Sequence, residues 1–132
     1  MPELLFAPDL EELTRGYLAE ILGVPVSLRD PEGTPDVWVK LWANGGERNR
    51  LIHSQTLEVE VWARKEITAA ETMNQVLAAV VDLGQRNRGG WQITQTAAAS
   101  GMVSLPDIRF PNLYRYVTRV EITARVRQSK PK

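Results

Sequence analysis

Apolar residues recur along this 132-residue chain with two different periods, and the switches between them divide it into elements. Leu10 to Leu22 has helical spacing, with Leu10, Leu13, Tyr17 and Ile21 on one stripe and Leu18 and Leu22 beside them. Asp9 stands where an N-cap belongs, and Glu12 completes the capping-box pattern. Gly23 and Pro25 then stop the helix. Val24 to Arg29 reads as a short strand, followed by the turn cluster Asp30-Pro31-Glu32-Gly33-Thr34-Pro35. From Asp36 to Trp42 the period changes to two: Val37, Val39 and Leu41 alternate with Trp38, Lys40 and Trp42. Gln55 to Arg64 alternates again, with Leu57, Val59, Val61 and Ala63 against Glu58, Glu60 and Trp62. A polar loop over Asn44 to Arg50 between these runs predicts an antiparallel hairpin.

Thr68 and Glu71 form a second capping-box pattern, predicting a helix from Thr68 to Leu83 with Met73, Val76, Leu77, Val80 and Leu83 as its apolar stripe. Gln85 to Gly90 is a polar loop and Trp91 to Ala98 a strand. Met102 to Leu105 either continues that strand or packs as a loop, and Pro106 to Asn112 is irregular, with Phe110 as an apolar foot. Tyr114 to Arg127 is the clearest strand, with Tyr116, Val120, Ile122, Ala124 and Val126 on one face and Arg115, Arg119, Glu121, Arg125 and Arg127 on the other. Residues 128–132 read as a flexible tail. The expected fold is therefore α+β: a single domain over 1–132, with a mostly antiparallel sheet of about five strands and two helices packed on one face.

The other face of that sheet then needs an occupant. Alternation places Trp38, Trp42 and Trp62 there among Lys40, Glu58, Glu60, Arg115, Arg119 and Arg125. Tryptophan and arginine are enriched at protein interfaces, so these residues are the candidate subunit interface. The competing reading is a second minor core, with the indoles covered by the Trp91–Asn112 region and the charges solvated. Arg48, Arg50, Arg86 and Arg88, in two Arg-x-Arg loops, are candidate loop contacts.

Composition narrows the choice of function. An apolar share of 43% and a charged share of 24% fit a globular chain. No apolar run has membrane-spanning length, and the acidic start does not read as a signal peptide, which points to folding in the cytosol. The net charge is zero, yet residues 1–66 carry −5 and residues 67–132 carry +5. Such halves can neutralise each other within the sheet or between neighbouring subunits, while the basic end also admits nucleic acid. The one histidine, His53, has no second histidine or cysteine to complete a zinc site, so no metal or cofactor is expected. Glu58 and Glu60 share a strand face, but basic neighbours make them ion-pair partners rather than an acid–base pair. The glycine pairs Gly45-Gly46 and Gly89-Gly90 match no phosphate loop, and no serine has a nucleophile's context. The expectation is a protein that is not an enzyme.

The layout resembles the tail-terminator proteins of long-tailed bacteriophages. The resemblance lies in the leading helix, the strand Asp36-Val37-Trp38-Val39 and the segment Val59-Glu60-Val61-Trp62-Ala63. It continues through the Ala/Val/Leu-rich helix, a Gly-Trp strand, the Leu105-Pro106-Asp107 loop and the closing strand Tyr114–Arg127. It implies a homohexameric ring that caps the tail tube, stops its polymerisation and offers a head-attachment surface. Its partners would be copies of itself, the major tail-tube protein and a head-closure or connector protein, with DNA passing through the ring. Its place would be the head-proximal end of the virion tail, after assembly in the host cytoplasm. Another small neck or tail-completion protein, and a nucleic-acid-binding module using the C-terminal arginine face, remain the alternatives.

Overall fold

A computed structural model describes residues 4–31, 33, 35–98 and 101–128. Helix α1 spans Leu10–Leu22, as its stripe predicts. The Asp9 side chain accepts the Glu12 N–H at 3.1 Å, and Gly23 ends the helix in the left-handed conformation. Glu12 does not close the capping box; its carboxylate is taken by Arg15 at 2.6 Å. Strand β1, Val26–Ser27, is parallel to the next strand rather than antiparallel.

Strands β2 (Val37–Arg48) and β3 (Ile52–Ala63) form the expected hairpin, but the sequence misplaces its turn. The segment expected as a loop from Asn44 continues β2 to Arg48 through a bulge between Ala43 and Gly46. A side chain at Gly46 would bring its Cβ within 2.1 Å of the Ser54 carbonyl, so the bare glycine is what lets the two backbones close up. The turn lies at Asn49–Leu51, where Asn49 Oδ1 accepts the N–H groups of Leu51 and Ile52 at 2.8 and 3.0 Å.

Helix α2 runs Glu66–Leu83, starting two residues before Thr68 and without a side-chain cap from Lys65. The predicted Thr68–Glu71 capping box is thus corrected: β3 ends at Ala63 and the helix begins almost at once, with Ala69 N–H bonding to Lys65 O at 3.1 Å. Beyond it, β4 (Asn87–Arg88) and β5 (Trp91–Ala98) pair across Gly89-Gly90, a two-residue turn with φ of 60° and 81°. Positive φ at both central positions is the geometry that strand twist favours in tight hairpins, which converts an expected loop into strand. Strand β6 (Val103–Ser104) pairs with β7 (Tyr114–Arg125) further along the edge that β5 occupies, so it continues β5 after a break.

The sheet has the order β1-β2-β3-β7-β5-β4, with β6 also on β7. Among the described residues seven strands replace the expected five or so, three of them only two residues long. The fold class is α+β and the pairing is mostly antiparallel. Leu10, Tyr17 and Leu18 of α1 and Met73, Val76, Val80 and Leu83 of α2 share one core with Val39, Leu41, Leu57, Val59, Val61, Ile122 and Ala124. Each fully buried side chain of this kind contributes roughly 1.5–3 kcal/mol. Among the described residues no helix is long and apolar enough to cross a membrane. Of the predicted tail, Gln128 is described and follows Arg127, whose backbone bridges Phe6; 129–132 lie outside the described residues.

Candidate interaction surface

Strand register decides what shares the sheet's second face. β3 is central, and its outward residues Trp62, Glu60, Glu58 and Ser54 are each flanked by one from β2 and one from β7. Trp62 stands between Trp38 and Arg115, Glu60 between Lys40 and Val117, and Glu58 between Trp42 and Arg119. Further along come Thr56 beside Glu121, Ser54 between Glu47 and Thr123, and Ile52 beside Arg125. Period-two alternation therefore gathered the predicted interface residues on one face.

That face is not uniformly open. Trp38 and Trp62 are 5% and 2% exposed and, with Leu113, form a second core separate from the helix-covered one. The expectation that these two indoles sit uncovered is corrected. Their rings stack at 5.6 Å between centroids with planes 6° apart, and Phe110 meets Trp62 edge-on at 5.5 Å. Arg115 covers Trp62 from another side, its guanidinium 5.3 Å from the ring. Neither indole N–H has a hydrogen-bond partner among the described residues, so apolar burial and stacking hold the pair, the stacking adding about 0.5–1.5 kcal/mol.

The lid over this core is the segment 105–113. Its ends are pinned by Leu105 N–H to Arg115 O at 2.9 Å and by the burial of Leu113. Asp107 organises its middle: one carboxylate oxygen accepts the Arg109 backbone N–H at 2.9 Å, and the other pairs with the guanidinium at 2.6 Å. Those Arg109 hydrogen bonds hold the Asp107 carboxyl down at about 2. Ile108, between them, is 94% exposed, and Val103, Leu105, Phe110 and Tyr114 also present apolar surface nearby. In the sequence this lid showed as an irregular segment with Phe110 as an apolar foot, within the region that the competing reading placed over the indoles.

The charged rows resolve into ion pairs. Glu60, itself buried, pairs with Arg115, which reaches diagonally from the Trp62 row. Arg119 meets Glu58 at 2.6 Å, and Asn44 donates to the same carboxylate at 3.0 Å. Lys40 pairs with Asp30 at 3.2 Å while its ammonium lies 5.4 Å from the half-buried Trp42 ring. The strand glutamates are thus structural counter-charges rather than members of a cleft.

The two Arg-x-Arg segments separate in space. Arg86 pairs with Asp82 at 2.6 Å, and Arg88 pairs with Glu20 at 2.9 Å while lying over the Tyr17 ring. Arg86, with help from the Tyr17 hydroxyl, holds the Asp82 carboxyl below its usual range. Arg48 donates to Leu5 O at 2.5 Å, and Arg50 is exposed in the hairpin turn. His53 lies beside Arg48 across the hairpin; burial first, and then the Arg48 charge, push its pKa down. No group of three or more His, Cys, Asp or Glu is placed to hold a metal among the described residues.

No protein-family model and no curated protein matches the chain. By structure it is similar to a chain in the solved virion of a native gene transfer agent (GTA) particle, with a TM-score of 0.67 and 12% identity. The match covers 88% of this chain and 94% of that one. At such low identity the likeness shows a shared fold over most of both chains.

Proposed function

We propose that this chain is a structural, non-catalytic component of a phage-like virion, and specifically a tail terminator whose copies close into a ring on the tail tube. The observation that carries the reading is the fold shared over nearly the full length of both chains with a protein of a gene transfer agent virion. The sequence layout, with its Trp-bearing strands and Leu105-Pro106-Asp107 loop, points to the same kind of protein. In this reading the apolar outer surface of the lid, with Ile108 at its tip, supplies contact area for a neighbouring protein. Trp42 with Lys40, and the Arg119–Glu58 pair, supply the polar rim of a contact between copies. The ring would meet tube protein on one side and a head-closure or connector protein on the other.

Light scattering of the purified protein, alone and with tube protein, tests the reading. A hexamer of the 14.8 kDa chain has a mass of about 89 kDa, and ring-shaped particles of matching size are expected by electron microscopy. A strict monomer under both conditions rules the proposal out.

A further inference from the structure

Ion pairs neutralise most arginines of this chain. Arg15, Arg64, Arg86, Arg88, Arg109, Arg115 and Arg119 each meet a carboxylate within 4 Å. Arg48, Arg50, Arg125 and Arg127 pair with none among the described residues, and these four gather at one end of the sheet. The turn after β2 brings Arg48 and Arg50 there, and Val126 N–H to Leu51 O at 3.0 Å docks that turn on the end of β7. Arg125 stands opposite Ile52, and Arg127 follows, its backbone bridging Phe6 and its guanidinium donating to Gly90 O at 2.7 Å. Arg29 and Lys65, which also lack a carboxylate partner among the described residues, lie elsewhere, Arg29 after β1 and Lys65 at the start of α2.

The chemistry of this end is more than charge. A shallow depression of about 380 Å³ is lined by Arg125, Arg127, Asn87, Gln92 and the backbone of Gly90. Arg125 ends β7 and Arg127 stands two residues beyond it in the bridge to Phe6, a spacing of at most roughly 6.7 Å along the chain. Guanidinium forks bind phosphate oxygens bidentately, and amide side chains add donors of the kind that position a nucleic-acid backbone. Glu47 in the adjoining row and Glu121 in the row beyond it are the acidic residues nearest on this face among the described residues, and against four arginines the end stays net positive.

We propose that this arginine end binds the phosphodiester backbone of duplex DNA, without reading its sequence. The inference stands on these residues and does not depend on ring formation. The test is anisotropy of a short labelled duplex at rising KCl, with the full chain in whatever oligomeric state it adopts. Each phosphate neutralised adds about 0.9 to the slope of log affinity on log salt, so four contacts predict a loss of more than about 100-fold for a fourfold rise in salt. Arg50→Ala with Arg125→Ala lowers that slope by about 1.8, and the double lysine variant retains binding. Neither side chain makes a hydrogen bond or ion pair among the described residues, so thermal melts of both variants should match the parent chain. Arg109→Ala, at the opposite end, leaves the salt dependence unchanged. Duplexes of unrelated sequence should bind alike, since phosphate contacts carry no base information. Salt-insensitive or absent binding by the parent chain overturns the proposal. So does equal binding of polyglutamate, or a double alanine variant that binds as the parent does.

Discussion

The two ends of the sheet's second face are built from the same alternating strands yet carry opposite solutions. At one end, Trp38, Trp62 and Leu113 are sealed beneath the 105–113 lid, with Glu60 and Arg115 paired beside them. At the other, Arg125 lies open beside a depression and Arg50 and Arg127 add charge, while Arg48, opposite His53, stands on the helix side of the same end; none of the four has a carboxylate partner among the described residues. The difference teaches that strand alternation assigns a side chain to a face but not to water or to core. A segment arriving from elsewhere in the chain makes that second choice.

The contrast can be broken most forcefully at its sealed end. Trp62→Ala removes the ring that Trp38, Phe110 and Arg115 all contact. A loss of about 3–5 kcal/mol is expected in chemical denaturation, as for large-to-small changes in well-packed cores. Less than about 1 kcal/mol would mean that the lid is not packed as described.

Glu60→Ala is next in size. It strands Arg115 in a largely covered setting, where loss of one partner of a buried pair typically costs about 3 kcal/mol. Replacing Glu60 and Arg115 together by apolar residues should recover much of that loss, because the pair's desolvation penalty disappears with both charges. If the double variant is as unstable as the single, the pair does more than satisfy its own charge.

A gentler probe addresses the lid alone. Asp107 is held at about 2 against an ordinary 3.8, so its contribution to the folded state is complete above the ordinary value and fades as pH falls through the folded one. An NMR titration should place the carboxyl midpoint near 2, and Arg109→Ala should return it towards 3.8 with broadened Ile108 signals. A midpoint unmoved by the substitution would assign the shift to another cause.

The smallest effect is predicted at the open end. Arg125→Ala should change stability by no more than about 0.5 kcal/mol, as for surface residues that touch nothing essential. A larger loss would show that the arginine end is a structural element.

Much of the fold was legible because its signals are local. The α1 stripe with its Asp9 cap, and the alternations of β2, β3 and β7, depend on neighbours a few residues apart. The errors fell where a glycine's missing side chain mattered to a distant backbone. Gly45-Gly46 read as loop because the approach of Ser54 cannot be seen in β2 itself, and Gly89-Gly90 read as loop although it closes a hairpin. The start of α2 was misread because Thr68 and Glu71 carry a capping pattern that the short link from β3 leaves unused.

The candidate surface divided along the same line. Its membership came from alternation, and so did the expectation that Glu58 and Glu60 meet basic neighbours, but that Arg119 and Arg115 are those neighbours came only from the pairing of β3 with β7. Burial of Trp38 and Trp62 stood in the sequence only as the competing reading, a second minor core under the Trp91–Asn112 region; the choice is made by Phe110 and Leu113, some fifty residues or more further along the chain than Trp62 or Trp38.

By itself, then, the sequence determined the secondary-structure periods, the two-sided character of the strands and the mixture of bulky aromatic and charged residues on one side. Periodicity is a property of adjacent residues and survives without any knowledge of the whole. Tertiary structure alone decided that β7 would lie between β3 and β5, that two indoles would be roofed over, and that four arginines would meet at one end. Those outcomes rest on contacts between chain-distant residues, such as Trp62 with Phe110 and Arg48 with Leu5, whose energies exist only once the sheet has closed.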